Sequence, residues 1–588
     1  MSTTQSIFSE TRDLLLFQLG PVQDFIAQAR STRDLWSGSY MLSWLMAHAI
    51  KTVLDVGNAC GGVRNEDFIM PSIQRSDNPL VFLLRDSGAD LKEEEVKKAL
   101  IPNLPNKFTV LVPEGKGVEI AQAADVAVRK ELKNMGESVW QWLCTKAGAN
   151  TEWKAQWDAQ LAAFLQVTWA VYKWEPHGKD WHEANLGANR MLAARRNTRE
   201  FSQWPTALGA FPQLAPKDSL SGKEEAVGNE EFWKALKENY KSLFKAGAHT
   251  YGAVNLIKRL WVFTRDDSEN FRREREYISK KLGVWGREVL EHLRVPDIPS
   301  IAKRNNVEGT NDREGESGNP YVAVFMFDGD KMGDKLDRFG GDPENIRHIS
   351  QTLSTFALGK VNGIVANHKG HLVYAGGDDV LAILPSTEAI NCAKEIREAF
   401  QESGREYGFD GSCGIAVGHK DAPLQMLVKE ARRMESVAKG RYGRSALAIA
   451  LYKRSGEIIE WGCKWDSDAL TLMNSVTALS RQKKLSGRFS YALAALLRPY
   501  DLEKLKGKGE LVQMEEIILE EFRHVSKRQG AGMNQGECDT LREKARGYLE
   551  EIEEGYEAGE GKPRQRYPED FLNLFLVETF IHRLRGEE

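Results

Sequence analysis

Cysteine is scarce. Six occur in 588 residues (Cys60, Cys144, Cys392, Cys413, Cys463 and Cys538), and no two stand closer than the 21 positions between Cys392 and Cys413. That spacing excludes a Cys-x-x-Cys zinc or redox motif and a disulfide scaffold, and it suits free thiols in a reducing compartment. Long apolar runs are missing too: no stretch approaches the roughly 18 apolar residues that span a bilayer. The opening MSTTQSIFSETRD lacks the basic head and apolar core of a secretory signal. A cytoplasmic location without a membrane partner is therefore expected. Nor is there an excess of charge. Lys plus Arg (80) against Asp plus Glu (84) leaves a net −4, so bulk attraction to polyanions is excluded and any such site must be local. What the chain has is length and apolar material, 41% of its residues, enough for three to five domains with packed cores.

The clearest boundary is RNNVEGTNDREGESGNP (304–320), a polar linker with little to bury. Upstream, DLLLFQLG (Asp13–Gly20) predicts a strand and Pro21 to Gly57 a helix. Further strands are expected at FIMPSI, LVFLL and FTVLV, and another helix over Val118–Cys144, giving an α+β domain over 1–150 with helices on one face. Helical periodicity prevails over 151–303. Eight of the fifteen tryptophans fall between Trp140 and Trp204, which points to an aromatic-rich core there. Beyond the linker, residues 321–460 read strand, helix, two strands around a turn, helix, strand, helix and an added strand SALAIALYK. That is the β-α-β-β-α-β order of a ferredoxin-like domain. Residues 461–588 read as a charged helical C-terminal domain. The fold class is α+β, and the two α+β segments have the look of two copies of one fold.

The chemistry lies in two motifs. Tyr374-Ala375-Gly376-Gly377-Asp378-Asp379 places two glycines and two acids at a hairpin, and Phe327-Asp328-Gly329-Asp330-Lys331-Met332-Gly333 ends an apolar strand. On its own the first reads as a tight turn with exposed acids. In a split β-α-β-β-α-β sheet the two motifs are neighbours. Asp328, Asp378 and Asp379 can then converge on hard divalent cations such as Mg2+ or Mn2+, in a site able to hold two ions for in-line phosphoryl displacement. Gly376 and Gly377 leave room for a ligand, while Gly329, Asp330, Lys331, Met332 and Gly333 lead into a helix whose first amides can cradle phosphates. Ala438-Lys439-Gly440-Arg441-Tyr442-Gly443-Arg444 follows the last helix of the same segment, and Lys439 is the candidate to close the phosphate clamp.

With FDGD, GGDD, SCGIAVG and AKGRYGR in that order, residues 321–452 resemble the palm of the GGDEF nucleotidyl cyclases and related polymerases. GPVQDFIAQARSTRDLWSGSYMLSWLMA (Gly20–Ala47), PNKF (Pro105–Phe108) and AARRNTREF (Ala193–Phe201) are similar to the large polymerase-cyclase subunit of type III CRISPR effector complexes, in the Cmr branch. The resemblance implies two palm-like domains and an enzyme that turns ATP, its substrate, into a signalling nucleotide, typically cyclic oligoadenylate. It also implies CRISPR RNA and target RNA as partners, with the backbone, small and guide-tag-capping subunits of the effector. The rival readings are a nucleotide-binding ribonucleoprotein scaffold without turnover and a free-standing GGDEF-type cyclase. Asp in place of Glu at the fourth position of GGDD speaks against the last.

Two departures from the family pattern stand out. Many members begin with a histidine-aspartate nuclease domain, whereas none of the eleven histidines here precedes an aspartate, so single-stranded DNase activity is not expected. Members often carry a motif much like KCSLCG. Here Lys217-Asp218-Ser219-Leu220-Ser221-Gly222 lacks both thiolates, and no zinc is expected. Arg190, Arg195, Arg196 and Arg199 form a stripe suited equally to an RNA backbone and to a solvated helix face. His177 and His182 read as ordinary polar residues. Gln23, Ser39 and Tyr40 read as facing a nucleotide or as helix packing.

Overall fold

The computed structural model describes residues 10–73, 98–176, 180–198, 216–241, 243–244, 249–261, 295–303, 320–530, 532–557 and 562–584. The strand expected at Leu80–Leu84, nearly all of the 304–320 linker, His177, Arg199 and Trp204 lie outside the described residues. Contacts divide the chain into two units, Met1–Pro296 with Lys331–Asn362 and Val373–Gly377, and Asp297–Asp330 with Gly363–Leu372 and Asp378–Glu588.

Strand β1 (Arg12–Gly20) is apolar on both faces, with Leu14 and Leu16 on one side and Leu15, Phe17 and Leu19 on the other, all buried. The chain continues through α1 (Gln23–Ala27) and α2 (Thr32–Ala59). The single helix expected from Pro21 is thus broken, and it restarts where the Ser31 hydroxyl accepts from the Asp34 amide at 3.1 Å. Next come β2 (Phe68–Met70), β3 (Lys107–Pro113), α3 (Gly117–Ala147), α4 (Lys154–Phe164) and β4 (Gln166–Trp174). The sheet order is β2-β3-β1-β4, with β1 antiparallel to β3 and β4.

Strand β4 interrupts 151–303, where helical periodicity was expected to prevail. Its residues QVTWAVYKW are β-branched and aromatic, as strands prefer, but most are only half-buried and show no clean alternation. The expectation of helices on one face is also overturned. Helix α5 (Trp181–Asn197) covers the Leu14/Leu16 face with Trp181, Ala184, Ala188 and Leu192, while α2, α3, α6 (Glu230–Asn239) and α7 (Ala253–Leu260) share the core on the other. A strand apolar on both faces needs cover on both. Trp140, Trp142, Trp157, Trp174 and Trp181 are buried, as core residues should be.

Asp34, in the first turn of α2, pairs with the buried Arg259 of α7. Burial pushes the Asp34 carboxyl up, but Arg259, Arg33 and Lys258 outweigh it and hold it below the usual range. Removing one partner of a buried pair leaves the other charge uncompensated. Asp34→Ala is expected to cost about 3–5 kcal/mol, read as a fall in the denaturation midpoint; a change within error would show that the pair contributes nothing.

The rest of the chain runs α8 (Ile298–Lys303), β5 (Tyr321–Gly329), α9 (Met332–Phe339), α10 (Pro343–Phe356), α11 (Asn362–Asn367), β6 (His371–Gly376), β7 (Asp379–Pro385), α12 (Ala389–Ser403), β8 (Gly411–His419), α13 (Leu424–Gly440), β9 (Ala446–Tyr452) and β10 (Ile458–Lys464). The second sheet is ordered β10-β9-β8-β5-β7-β6, so its four strands β6-β7-β5-β8 repeat the order of the first sheet. Strand β10 corrects the reading of everything from Trp461 onward as helical. It pairs antiparallel with β9, from Ile458 opposite Tyr452 to Lys464 opposite Ala446. Helices α14 (Asp468–Arg481), α15 (Phe489–Leu497), α16 (Glu510–Gln529), α17 (Gln535–Glu554) and α18 (Glu569–Arg583) form the helical C-terminal region. They close around Phe489, Phe522, Phe571 and Phe575 and join the β10 edge through Trp461 Nε1, which donates to the Tyr548 hydroxyl at 3.1 Å. Among the described residues no helix is long and apolar enough to cross a membrane.

Candidate active site

Strand β5 is antiparallel to both β7 and β8 and is buried along almost its whole length. Phe327 stands opposite Val380 and Asp328 opposite Ser412. One step beyond the Phe327–Val380 pair brings Asp328 level with Asp379, the first residue of β7. Gly377 turns the hairpin at φ 76°, a conformation that favours glycine, and delivers Asp378 and Asp379 beside Asp328. Gly414, in the middle of β8, lets α13 lie directly on the strand: a side chain there would stand 2.1–2.2 Å from the Glu435 amide and the Ala431 carbonyl. That close approach carries Glu435 and Lys439 to the same end of the sheet, where Lys439 Nζ pairs with Asp328 and with Glu435.

Four acids and one lysine leave the cluster short of positive charge. Burial and then Asp328 push the Asp378 carboxyl up to about 6, with Lys439 opposing. Asp379 is raised further, by burial and then by Asp328, Asp378 and Glu435, again against Lys439. Asp379 keeps accessible surface, so the environment is a recess open to solvent and not a sealed core.

The raised pKa makes a testable pH dependence. A carboxyl that holds its proton more tightly folded than unfolded contributes stability in full below about pH 4, and loses it as the pH rises through about 6. Two units correspond to roughly 3 kcal/mol, reduced to about 1–3 by solvent at the recess. In metal-free buffer Asp378→Asn is expected to match the wild type near pH 4 and to exceed it in thermal stability at pH 7.5. A wild type more stable than the variant at pH 7.5 would contradict the charge balance.

The other expected residues are distributed as follows. Gly329 and Gly376 are the buried last residues of β5 and β6. Lys331, at φ 55°, precedes α9 with its side chain exposed, Met332 is buried in the first turn, and Gly333 is exposed with open space around it. Asp330, expected among the nucleotide-binding residues, is engaged by its own fold. Its buried carboxylate accepts from Ser412 Oγ (2.9 and 2.8 Å) and the Ser445 amide (2.7 Å), and its own amide donates to the Asp410 carbonyl at 2.8 Å. Glu435 escaped the sequence reading, although its i,i+4 spacing to Lys439 is a visible signal. Ser39 and Tyr40 are buried packing residues of α2, donating to the Leu35 and Ala99 carbonyls (3.3 and 3.0 Å), and Gln23 is exposed on α1. Arg190, Arg195 and Arg196 are exposed, and Arg195 lies 4.8 Å from the Trp169 ring.

Hard carboxylate oxygens that lack counter-charge fit a divalent cation such as Mg2+ or Mn2+ in donor chemistry. As they stand, no three His, Cys, Asp or Glu side chains among the described residues converge to hold a metal ion, and Lys439 supplies the positive charge at Asp328. At Lys217–Gly222, the Asp218 carboxylate accepts from the Leu220, Ser221 and Gly252 amides (2.7, 2.9 and 2.6 Å) and closes that turn with hydrogen bonds alone. A separate cavity of about 150 Å³ is lined by Pro71, Ser72, Asn103, Leu104, Ser354 and Leu358.

A split β-α-β-β-α-β sheet with acids at the end of its first strand and at its hairpin defines a palm-type α+β protein, here with the same strand order present twice. Residues 321–448 match the second palm domain of Cas10/Cmr2, and residues 14–140 match the N-terminal domain of the CRISPR-associated protein Cmr2. The CRISPR system Cmr subunit Cmr2 of Pyrococcus furiosus is 24% identical over 665 aligned positions, which cover 94% of this chain and 73% of that protein. The single-strand-specific deoxyribonuclease Cas10/Csm1 (subtype III-A) of Enterococcus italicus is 30% identical over 131 residues, 21% of this chain and 17% of that one. Among solved structures, the type III-B Cmr-beta complex in its apo state superposes with a TM-score of 0.66 at 13% identity, over 99% of this chain and 82% of its counterpart. The same complex bound to cognate target RNA gives 0.61 at 13% identity, over 97% and 83%. Both matched domains, and the relative aligned over most of the chain, carry the likeness to the Cmr branch of Cas10/Cmr2.

Proposed function

We propose that this chain is the large subunit of a type III CRISPR RNA-guided complex, and that its second palm joins ATP into an adenylate messenger, cyclic oligoadenylate, when target RNA is engaged. The observation that carries the reading is the meeting of Asp328, Asp378 and Asp379 at one end of the palm sheet, with Asp378 and Asp379 raised by burial and by the neighbouring acids. Such acids hold divalent ions where phosphoryl groups are transferred. The family's partners follow from the same reading: CRISPR RNA, target RNA and the other effector subunits. The exposed basic face of α5 is a local surface of the right charge for an RNA backbone.

In this mechanism Asp328, Asp378 and Asp379 hold the divalent ions, which when bound neutralise triphosphate charge and activate the attacking ribose hydroxyl. The hydroxyl oxygen bonds to the α-phosphorus, the bond to the β-phosphate oxygen breaks, pyrophosphate leaves and the hydroxyl proton passes to solvent. The first amides of α9 and the Lys331 ammonium bind phosphate oxygens. Lys439, which pairs with Asp328, would close on the triphosphate. The decisive experiment incubates the assembled complex with labelled ATP, with and without cognate target RNA, and identifies the products by mass. RNA-dependent oligoadenylate supports the reading. Binding of ATP without any product would favour the scaffold reading, to which the standing Lys439–Asp328 pair also lends itself.

A further inference from the structure

The segment that follows α13 is anchored far more heavily than a helix end requires. Arg441 Nη2 donates to Asp570 Oδ1 and to Glu569 Oε1, both at 3.1 Å, and its guanidinium lies 3.7 Å from the Tyr567 ring centroid. The Tyr442 hydroxyl donates to Asp570 Oδ2 at 2.8 Å. Lys464 Nζ donates to the carbonyls of Gly443 and Arg444 (2.9 and 2.6 Å), and the Ser445 amide donates to Asp330. Asp570 itself is fully buried in the first turn of α18, beside Phe571, Leu574 and Phe575, which fill the core of the C-terminal region. Those neighbours need no acid among them. Burying a carboxylate is costly unless it is paired, and both residues that donate side-chain hydrogen bonds to Asp570 lie two and three positions after Lys439.

We propose that Asp570 is a positioning residue: through Arg441 and Tyr442 it fixes the C-terminal end of α13, and so sets where Lys439 stands against Asp328. The C-terminal helical region would thereby govern the charge balance of the acid cluster. The activity arm of this inference rests on the nucleotidyl-transfer reading; its binding arm does not.

The test uses the full chain for binding and the assembled complex for turnover. Tyr442→Phe removes one hydrogen bond and keeps the ring against Tyr556 and Tyr567, so the fold is retained. With Mn2+ alone as probe, a loosened Lys439 competes less for Asp328, and Tyr442→Phe is expected to tighten the apparent Mn2+ Kd about three- to tenfold, as for one lost hydrogen bond. Lys439→Ala should tighten it at least as much, and the double variant no more than Lys439→Ala. Asp570→Asn should reproduce the Tyr442→Phe shift. Nucleotide synthesis by Tyr442→Phe should fall by a similar factor, and that loss should vanish in the Lys439→Ala background. Equal losses in both backgrounds, or a Mn2+ affinity unmoved by Tyr442→Phe, would assign Asp570 to packing alone and overturn the proposal; so would a wild-type chain that binds no Mn2+. A wild-type complex that makes no product while the Mn2+ pattern holds would defeat the transfer reading and leave the coupling standing.

Discussion

Alanine in place of both Asp378 and Asp379 is expected to abolish nucleotide synthesis while leaving the metal-free chain at least as stable as the wild type. The two effects have one cause. Burial and then Asp328 push both carboxyls up, and Asp378 adds to the rise at Asp379, so the fold holds both acids where their charged forms are disfavoured. Removing them relieves repulsion worth about 1–3 kcal/mol at pH 7.5. The same removal takes away two of the three carboxylates proposed to hold metal, and without metal neutralisation the proposed in-line phosphoryl transfer loses its main source of rate. The loss should exceed a thousandfold, falling below detection by mass of the products. Undiminished synthesis by the double variant would end the assignment of the site. A folded yield well below wild type would show that the acids stabilise the hairpin.

Lys439→Ala is expected to reduce synthesis about ten- to a hundredfold, corresponding to roughly 1.5–3 kcal/mol for one charge-assisted contact to phosphate. Because that contact is to phosphate and not to a base, apparent affinities for ATP and GTP should fall by similar factors. In the absence of metal Lys439 pairs with Asp328 and Glu435, so the variant should also unfold more readily in chelator and recover with added Mg2+, which takes over the charge. A variant that makes nucleotide normally but fails to associate with guide RNA would move the AKGRYGR segment to an RNA-facing surface.

The site and the topology of the second palm could be read from the sequence because their signals are local. The β5 run YVAVFMF is unbroken, the GGDD turn carries its own glycines, and α13 has clear helical spacing. The first sheet was legible through β1 and β3 for the same reason. Strand β4 was not, because its half-buried positions give no alternation and its tryptophans read equally well as helix. Strand β10 was hidden by the charges of Glu460 and Lys464 within its short run, and is defined by pairing with β9. The hydrogen bonds of Asp330 could not be read from its neighbours in sequence, because its partners Ser412 and Ser445 lie 82 and 115 positions away. Glu435 was missed because only the close approach allowed by Gly414 brings it to the acids.

The repeated strand order has an evolutionary consequence. Strands β1 and β5 are both nine residues long and both end in glycine, yet where β5 has Asp328, β1 has the buried Leu19. If the two sheets descend from one duplicated ancestor, the copies have parted at this position: one presents an acid, and the other a core side chain. Selection then acts on the two halves by different rules. The second half is bound to its carboxylates, whereas the first is free to drift at the equivalent point so long as it stays apolar. Restoring an acid at Leu19 would test how far that divergence has become irreversible.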